Sequence, residues 1–273
     1  MTINTKVLQL DGRESNTIEL PPVFQTPFRP EVIHRVYVNL LSHTFQRQGR
    51  YPVAGEMVSA QSRGVGLGIA RLARARGEGF SRAGQAAGVA GVRHGRAPHP
   101  PESWRKIYKK INKKEKKLGL CSAIAATARK DIIENRGHNL GNISNFPIIV
   151  SDDIESISKT KDLRKALVAL GLGGDLARCD LSRKATSGTA RRRGRKARSA
   201  LSVLIVVSNN VNIGRLSGSI SGVDIQQVKR LSVLDLTPGL RSIRLTVFSE
   251  RAIKQLNNLN TPSQKVLEMI RGR

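Results

Sequence analysis

The sequence predicts an α/β domain: an open, mostly parallel sheet with helices on both faces, plus a long basic extended loop. Three observations predict it. Short β-branched or apolar runs recur at Pro147–Val150, Leu201–Val207 and Leu245–Phe248, and such continuous runs suit strands buried on both faces of a parallel sheet. Segments with helical spacing alternate with these runs, which argues for helices covering the sheet. Between Arg47 and Lys117, seventeen basic residues face only four acids, Glu56, Glu78, Glu102 and Glu115, in a stretch poor in core-forming side chains.

Taken in order, Lys6–Leu10 and Thr17–Leu20 flank Asp11-Gly12 and predict a hairpin with a loose loop. From Pro30 to Phe45, a proline in the first turn precedes a stripe of Val32, Ile33, Val36, Val38, Leu40 and Leu41, which predicts a helix. Beyond His99-Pro100-Pro101, Trp104–Lys117 predicts a basic helical segment. It leads into a core-facing helix over Leu118–Glu134, striped by Leu120, Ile124, Ala125, Ala128, Ile132 and Ile133. Pro147–Val150 predicts a buried strand ending at Ser151-Asp152-Asp153. Thr160–Leu170 predicts a helix stopped by Gly171, Gly173 and Gly174, and Asp175–Leu181 a further short helical piece. Leu201–Val207 is the clearest strand. Val223–Leu231 predicts a helix, and Ser232–Leu236 and Leu245–Phe248 predict strands separated by Thr237-Pro238-Gly239. Ser249 caps a last helix to Leu259, and Thr261–Arg273 is expected to be a surface tail. The expected division is a globular domain of 1–46 and 105–273, with 47–104 as an extended Gly/Arg-rich loop inserted in it.

The formal net charge of +27 opposes compaction and calls for a polyanionic partner, of which nucleic acid is the usual one. No apolar run approaches the roughly 18 residues that span a bilayer, and the basic stretches lack the apolar face of an interfacial helix, so no membrane partner is expected. Met1–Leu10 lacks the apolar core of a secretory signal. Cys121 and Cys179 are isolated and match no metal-ligand spacing.

Enzymatic motifs fail on inspection. Gly64, Gly66 and Gly68 lack the third glycine, the preceding strand and the following helix of a dinucleotide fingerprint. No Gly-Lys pair exists, which excludes a P-loop. The five histidines form no i, i+4 pair, and Ser219 and Ser221 bracket Ile220 rather than sit inside a nucleophile elbow. Asp152 and Asp153 follow a strand, where a metal-dependent RNA-processing enzyme could place carboxylates; strand-end acids also cap helices. No catalytic residue, metal, cofactor or small-molecule substrate is expected.

The basic runs carry the function. Between Gly64 and Gly95 nine glycines interleave with arginine, and a second run from Arg183 to Arg198 holds eight basic residues and no acid. Arginine's planar fork suits phosphate binding. Aromatic residues make up only 4% of the chain, so a stacking platform for single strands is not expected, and folded RNA should be held through phosphates and shape. A DNA-compacting protein is the other reading of such a charge, although no sequence-reading DNA motif is present.

Specific stretches then become recognisable: Phe24-Gln-Thr-Pro-Phe-Arg-Pro-Glu-Val-Ile-His-Arg35, Ser59-Ala60 before the glycine string, Lys109-Lys-Ile-Asn-Lys-Lys-Glu115, Ser122-Ala-Ile-Ala-Ala-Thr-Ala128, Arg136-Gly-His138, Pro147-Ile-Ile-Val150, Arg193-Gly-Arg-Lys196, Gly222-Val-Asp224 and Leu236-Thr-Pro-Gly239. From Phe24 to Ile253 and in this order, the chain resembles the universal large-subunit ribosomal protein four family in its archaeal and eukaryotic form. Eukaryotic members carry a long C-terminal extension; a chain ending at Arg273 looks archaeal. The resemblance implies a structural protein of the cytoplasmic large ribosomal subunit, partnered by large-subunit rRNA and neighbouring large-subunit proteins. It also implies a loop that threads into rRNA, with a tip between Arg63 and Phe80 in the wall of the nascent-peptide exit tunnel. The expected rRNA contacts along the loop are Arg47, Arg50, Arg63, Arg71, Arg74, Arg76, Arg82, Arg93, Arg96 and His99, with Gly64, Gly66 and Gly68 allowing close approach. At its base they are Lys109, Lys110, Lys113 and Lys114; on a second surface, Arg191, Arg192, Arg193, Arg195, Lys196 and Arg198. The chain departs from the family at Leu67, where an arginine is common, at Ala73, where proline is usual, and in the spacing around Gly95–Pro101. Leu67 cannot make the phosphate contact of an arginine.

Overall fold

Two antiparallel strands, β1 (Asn4–Leu8) and β2 (Glu14–Glu19), open a computed structural model that describes residues 4–141, 143, 145–209, 212–240 and 242–258. Helix α1 (Pro30–Ser42) follows, then the two-residue strands β3 (Ala60–Gln61) and β4 (Arg74–Ala75). Next come α2 (Lys113–Ala126), α3 (Lys130–Asn135), β5 (Ile148–Val150), α4 (Thr160–Leu167) and α5 (Gly173–Ser182). A wide turn over Val168–Leu172 joins the last two, with Gly171 at a φ of +83°. The second basic run forms β6 (Lys184–Ala185), α6 (Gly188–Arg192) and β7 (Ala197–Arg198). The chain then completes the sheet with β8 (Leu204–Val207), β9 (Asp224–Gln227), α7 (Val233–Leu236), β10 (Thr246–Ser249) and α8 (Glu250–Asn258).

The main sheet has six strands in the order β2-β1-β5-β10-β8-β9, antiparallel only at β1–β2. Its register pairs Val7 with Ile149, Ile149 with Phe248, Phe248 with Val206 and Val206 with Gln226. Because side chains alternate along a strand, each central strand feeds two cores. Ile149, Leu204, Val206 and Phe248 pack with Val36 of α1, Ile124 of α2 and Ile253 and Leu256 of α8. Ile148, Val150, Ile205, Val207 and Val247 pack on the other face with Ile133 of α3, Leu163 and Leu167 of α4 and Leu176 of α5. That is the predicted parallel sheet with helices on both faces, and it explains why the central strands read as unbroken apolar runs.

Close helix packing is set by small residues. A Cβ on Gly119 of α2 would lie 2.7 Å from Cγ2 of Val36, so α1 and α2 meet at a distance only glycine permits. Ser122 one turn on accepts the Arg29 N–H (2.8 Å) and donates to the Pro27 carbonyl (3.0 Å), pinning the start of α1.

The chain divides into two units, Met1–Leu41 with Lys110–Arg273, which holds the six-stranded sheet, and Ser42–Lys109. The second unit is built mostly of turns. The β3–β4 ladder pairs Ala60 with Ala75 and Gln61 with Arg74, and the Ala75 and Ala87 amides extend it by bonding the Gln85 and Ala73 carbonyls, each at 2.9 Å. At its ends the Lys109 amide donates to Ser42 Oγ (3.0 Å), and the Arg47 guanidinium lies 5.3 Å from the centre of the Tyr108 ring.

Four predicted elements differ. Trp104–Asn112 is irregular and the helix starts only at Lys113. The pairs 105/109, 106/110, 109/113 and 110/114 are all like-charged at i, i+4, which disfavours a helix. Leu118–Glu134 is broken into α2 and α3 at Thr127, whose hydroxyl donates to the Ile124 carbonyl at 2.6 Å, while Arg129 is extended. Val223–Leu231 is not a helix: Asp224–Gln227 forms β9, paired with β8, and Val228–Arg230 is a single 3-10 turn. Ser232–Leu236 is not a strand but one helical turn, closed by a capping box in which the Ser232 amide and hydroxyl both donate to Asp235 Oδ2 (3.0 and 2.8 Å). Leu259 and the Thr261–Arg273 tail lie outside the described residues.

Candidate nucleic-acid interface

The acids that could have served an enzyme are structural. Asp152 caps α8, its Oδ1 accepting the Arg251 amide at 2.8 Å and its Oδ2 pairing with Arg251 Nε at 3.2 Å. Asp153 accepts the Ser151 hydroxyl at 3.0 Å. Glu155 accepts the Ser249 hydroxyl (2.6 Å) and the Ser208 amide (2.8 Å), tying β10 to the loop after β8. The predicted cap at Ser249 is present, with its Oγ 3.2 Å from the Ala252 amide.

A buried polar knot holds the end of the sheet together. Asp175 at the start of α5 accepts from the His138 ring (Nδ1, 3.1 Å), the Ser202 hydroxyl (2.5 Å), the Asn139 amide (3.0 Å) and Arg178 Nε (2.8 Å). Burial alone would raise the Asp175 carboxyl, but the bonds from His138, Arg178 and Ser202 outweigh it and hold the pKa well below the usual carboxylate range. His138 Nε2 accepts the Leu245 amide at 3.3 Å, so the proton sits on Nδ1 and the ring is neutral. Burial accordingly lowers its pKa against the pull of Asp175. Nearby, Arg244 is almost fully buried; it pairs with Asp224 (2.6 Å) and donates to the carbonyls of Ser202, Val203 and Gly222 (2.6, 3.1 and 2.7 Å). Ser and His side chains here neighbour an acid, but the serine bonds the acid and not the imidazole, so no nucleophile is set up.

The sequence-predicted contact residues lie almost wholly in solvent. In the second unit Arg47, Arg50, Arg63, Arg71, Arg76, Arg82, Arg93, Arg96, His99 and Lys109 are exposed, as are Gly64, Gly66 and Gly68. Those three glycines have φ of +83°, +82° and +68° with open space around an added Cβ. Their requirement is therefore conformational in the chain alone. Arg74 differs: it is half-buried in β4, its Nη1 donates to the Gly84 carbonyl at 3.0 Å, and it braces the unit from within. Arg82 reaches the Arg93 carbonyl at 3.1 Å, and Arg96 pairs loosely with Glu56 at 3.7 Å. Val65, Leu67 and Ile69 alternate with the three glycines and are exposed.

In the first unit, Lys110, Lys113 and Lys114 are exposed at and before the start of α2. The other run is a small closed device: β6 and β7 pair antiparallel (Lys184 with Arg198, Ala185 with Ala197) around α6, and the Arg195 amide returns to the Ala190 carbonyl at 3.0 Å. Arg191, Arg192, Arg193, Arg195, Lys196 and Arg198 are all exposed on it, and none makes an ion pair among the described residues. Sequence reading gave the charge but not the hairpin, since two-residue ladders leave no apolar alternation to detect. Arg136 and Arg178 are two further cations at a cavity of this unit that lie outside the predicted set.

A basic hairpin on a six-stranded sheet flanked by helices, with a Gly/Arg-rich second unit, is the setting of one profile match: the ribosomal protein L4/L1 family, over residues 18–259. The chain belongs to that family. It is 38% identical to the large ribosomal subunit protein uL4 of Methanococcus aeolicus over 257 residues, 93% of this chain and 99% of the relative. With the protein of the same name from Methanococcus vannielii it shares 39% over 254 residues (93% and 98%), and with that of Methanosphaera stadtmanae 36% over 253 residues (93% and 96%). The family resemblance seen in the sequence is thereby shown, and these three relatives are archaeal proteins. L4/L1 members are structural proteins, not enzymes. Among the described residues no group of three or more His, Cys, Asp or Glu is placed to hold a metal ion. No helix among the described residues is long and apolar enough to cross a membrane.

Proposed function

We propose that this L4/L1 family member is a structural constituent of the large ribosomal subunit, in the cytoplasm, that binds and stabilises large-subunit rRNA. The contacts are those predicted in the sequence, minus the weight given to Arg74, which the second unit uses internally. Residues 47–104 act as the extended rRNA-binding loop, and the Arg183–Arg198 hairpin docks on a second RNA surface. The segment from Arg63 to Phe80 lines part of the nascent-peptide exit tunnel, where Leu67 presents an apolar side chain to the growing peptide in place of a cation. Neighbouring large-subunit proteins complete its surroundings.

The observation that carries this reading is the excess of exposed, unneutralised arginine on a folded scaffold with a net charge of +27. A charge of that size needs an anionic lattice to be held in one place. The test is filter binding of the full chain to large-subunit rRNA and to duplex DNA of matched length. Preference for the rRNA is expected; equal affinity would favour the DNA-compacting reading. A photo-crosslinker at Arg71 in assembled subunits should reach tunnel-wall RNA and nascent peptide. Exclusive crosslinks to solvent-side RNA would remove the tunnel assignment. Deleting Ser59–Pro98 should leave the sheet-bearing unit folded.

A further inference from the structure

A cavity in the sheet-bearing unit is lined by three arginines, Arg136, Arg178 and Arg198, together with His138, Ala200, Leu201, Pro238 and Gly239. No acid and no Phe, Tyr or Trp lines it among the described residues. Two of the arginines are rooted in the fold. Arg136, just past α3, donates to the Ser242 carbonyl (2.6 Å) and the Pro238 carbonyl (2.8 Å). Arg178 of α5 is held on one edge by Asp175 (2.8 Å) and by the Leu201 carbonyl (2.9 Å), and about a third of its side chain is exposed. Asp175 itself is fully buried and already receives four donors. Arg198 belongs to β7, so the basic hairpin stands at this cavity.

We infer that this cavity is a seat for one phosphate of an RNA backbone, fixed by Arg136 and Arg178 and closed by Arg198. The inference rests on the RNA-binding reading and adds a site to it. An exposed arginine loses side-chain freedom when it is immobilised on a ligand. Arg136 and Arg178 are already immobilised by carbonyl and carboxylate partners, so they meet an oxyanion pre-arranged. The guanidinium fork matches the geometry of phosphate oxygens. No Phe, Tyr or Trp ring lines the cavity to hold a base between aromatic faces, which favours a backbone phosphate over a nucleoside. His138 contributes shape and no charge, because both its nitrogens are committed to Asp175 and Leu245.

Two measurements on the full chain test this. The first is the salt dependence of binding to large-subunit rRNA for the unmodified protein, for Arg136→Gln, and for Arg191→Gln/Arg193→Gln in the hairpin. One lost phosphate contact lowers the log–log slope by about one, so Arg136→Gln should lower it by about one with a melting curve that still shows a single cooperative transition. The second needs no mutation: amide signals of Gly239 and Ala200 are followed by NMR while a short RNA oligonucleotide or inorganic phosphate is added at constant ionic strength. Both signals should move with the RNA and saturate. Movement with inorganic phosphate alone, or none with either probe, overturns the site whether or not Arg136→Gln folds. If the hairpin variant loses slope while Arg136→Gln keeps it, the cavity inference fails and the RNA-binding reading stands. If the unmodified protein does not bind the rRNA, both fall.

Discussion

Replacing Asp175 by asparagine should destabilise the sheet-bearing unit by about 2–4 kcal/mol. The carboxylate is fully buried with two donors on each oxygen: the Asn139 amide and Arg178 Nε on one, the His138 ring and the Ser202 hydroxyl on the other. An amide turns one oxygen into a donor, so one pair must face an NH2 group. The cheaper orientation sacrifices the second pair, since the serine hydroxyl can rotate and accept. The His138 N–H then loses its acceptor, at about 1–3 kcal/mol for a buried orphaned donor. It cannot escape by moving its proton to Nε2, because that nitrogen accepts the Leu245 amide. Arg178 also loses its countercharge, discounted here because its side chain is about a third exposed. For a domain of this size each kcal/mol lowers Tm by about 2–4 °C, so thermal melting at pH 7 should drop by roughly 4–16 °C. Urea unfolding should agree. A loss below about 1 kcal/mol would refute the claim that this knot holds α5 to the sheet.

Other outcomes follow from the same contacts. His138 has a folded pKa below its ordinary 6.5, so the unfolded chain takes the proton first. Its contribution is complete above about 6.5 and is lost as pH falls through the folded value. Urea midpoints should therefore decline from pH 7.5 to 5.5, and His138→Gln should flatten that decline, the other four histidines being exposed. Gly222→Ala should cost about 2–4 kcal/mol, because a Cβ there would sit 2.9 Å from Ala200 O and Ser202 N at a φ of +77°. Gly64→Ala, with open space around it, should cost only about 1 kcal/mol in denaturant titration. If about ten phosphates are neutralised, rRNA binding should show a log–log salt slope of roughly −7 to −9. Neutralising Arg191, Arg193 and Arg195 together should then shrink it by about 2–3, read by filter binding across a salt series.

What was legible in the sequence follows the physics of burial. Ile148–Val150, Leu204–Val207 and Thr246–Ser249 are buried on both faces, so their side chains leave no room for polar alternation and the strands announce themselves. The edge strand β9 is half-exposed, with Asp224, Gln226 and Gln227 around Ile225, so it lacks the unbroken apolar run that marks the central strands. The capping box at Ser232 and Asp235 was readable as a local signal and is what makes α7 a helix. The charge that marks the hairpin was plain, but Arg136 and Arg178 were not distinguishable from other surface cations. Their partners, Ser242 and Leu201, lie 106 and 23 residues away along the chain.

The strand order also sets a timetable. Val7 pairs with Ile149, so β1 is made early and its parallel neighbour arrives more than a hundred residues later, after the whole Gly/Arg-rich unit has left the ribosome that is making it. At about 5–20 residues per second that wait lasts roughly 7–28 s. For that time the nascent chain is a polycation tethered to an unfinished sheet, in a cell full of RNA that is not its destination. The insertion proposed to hold RNA in the finished protein is also the stretch most in need of an escort while the protein is being born.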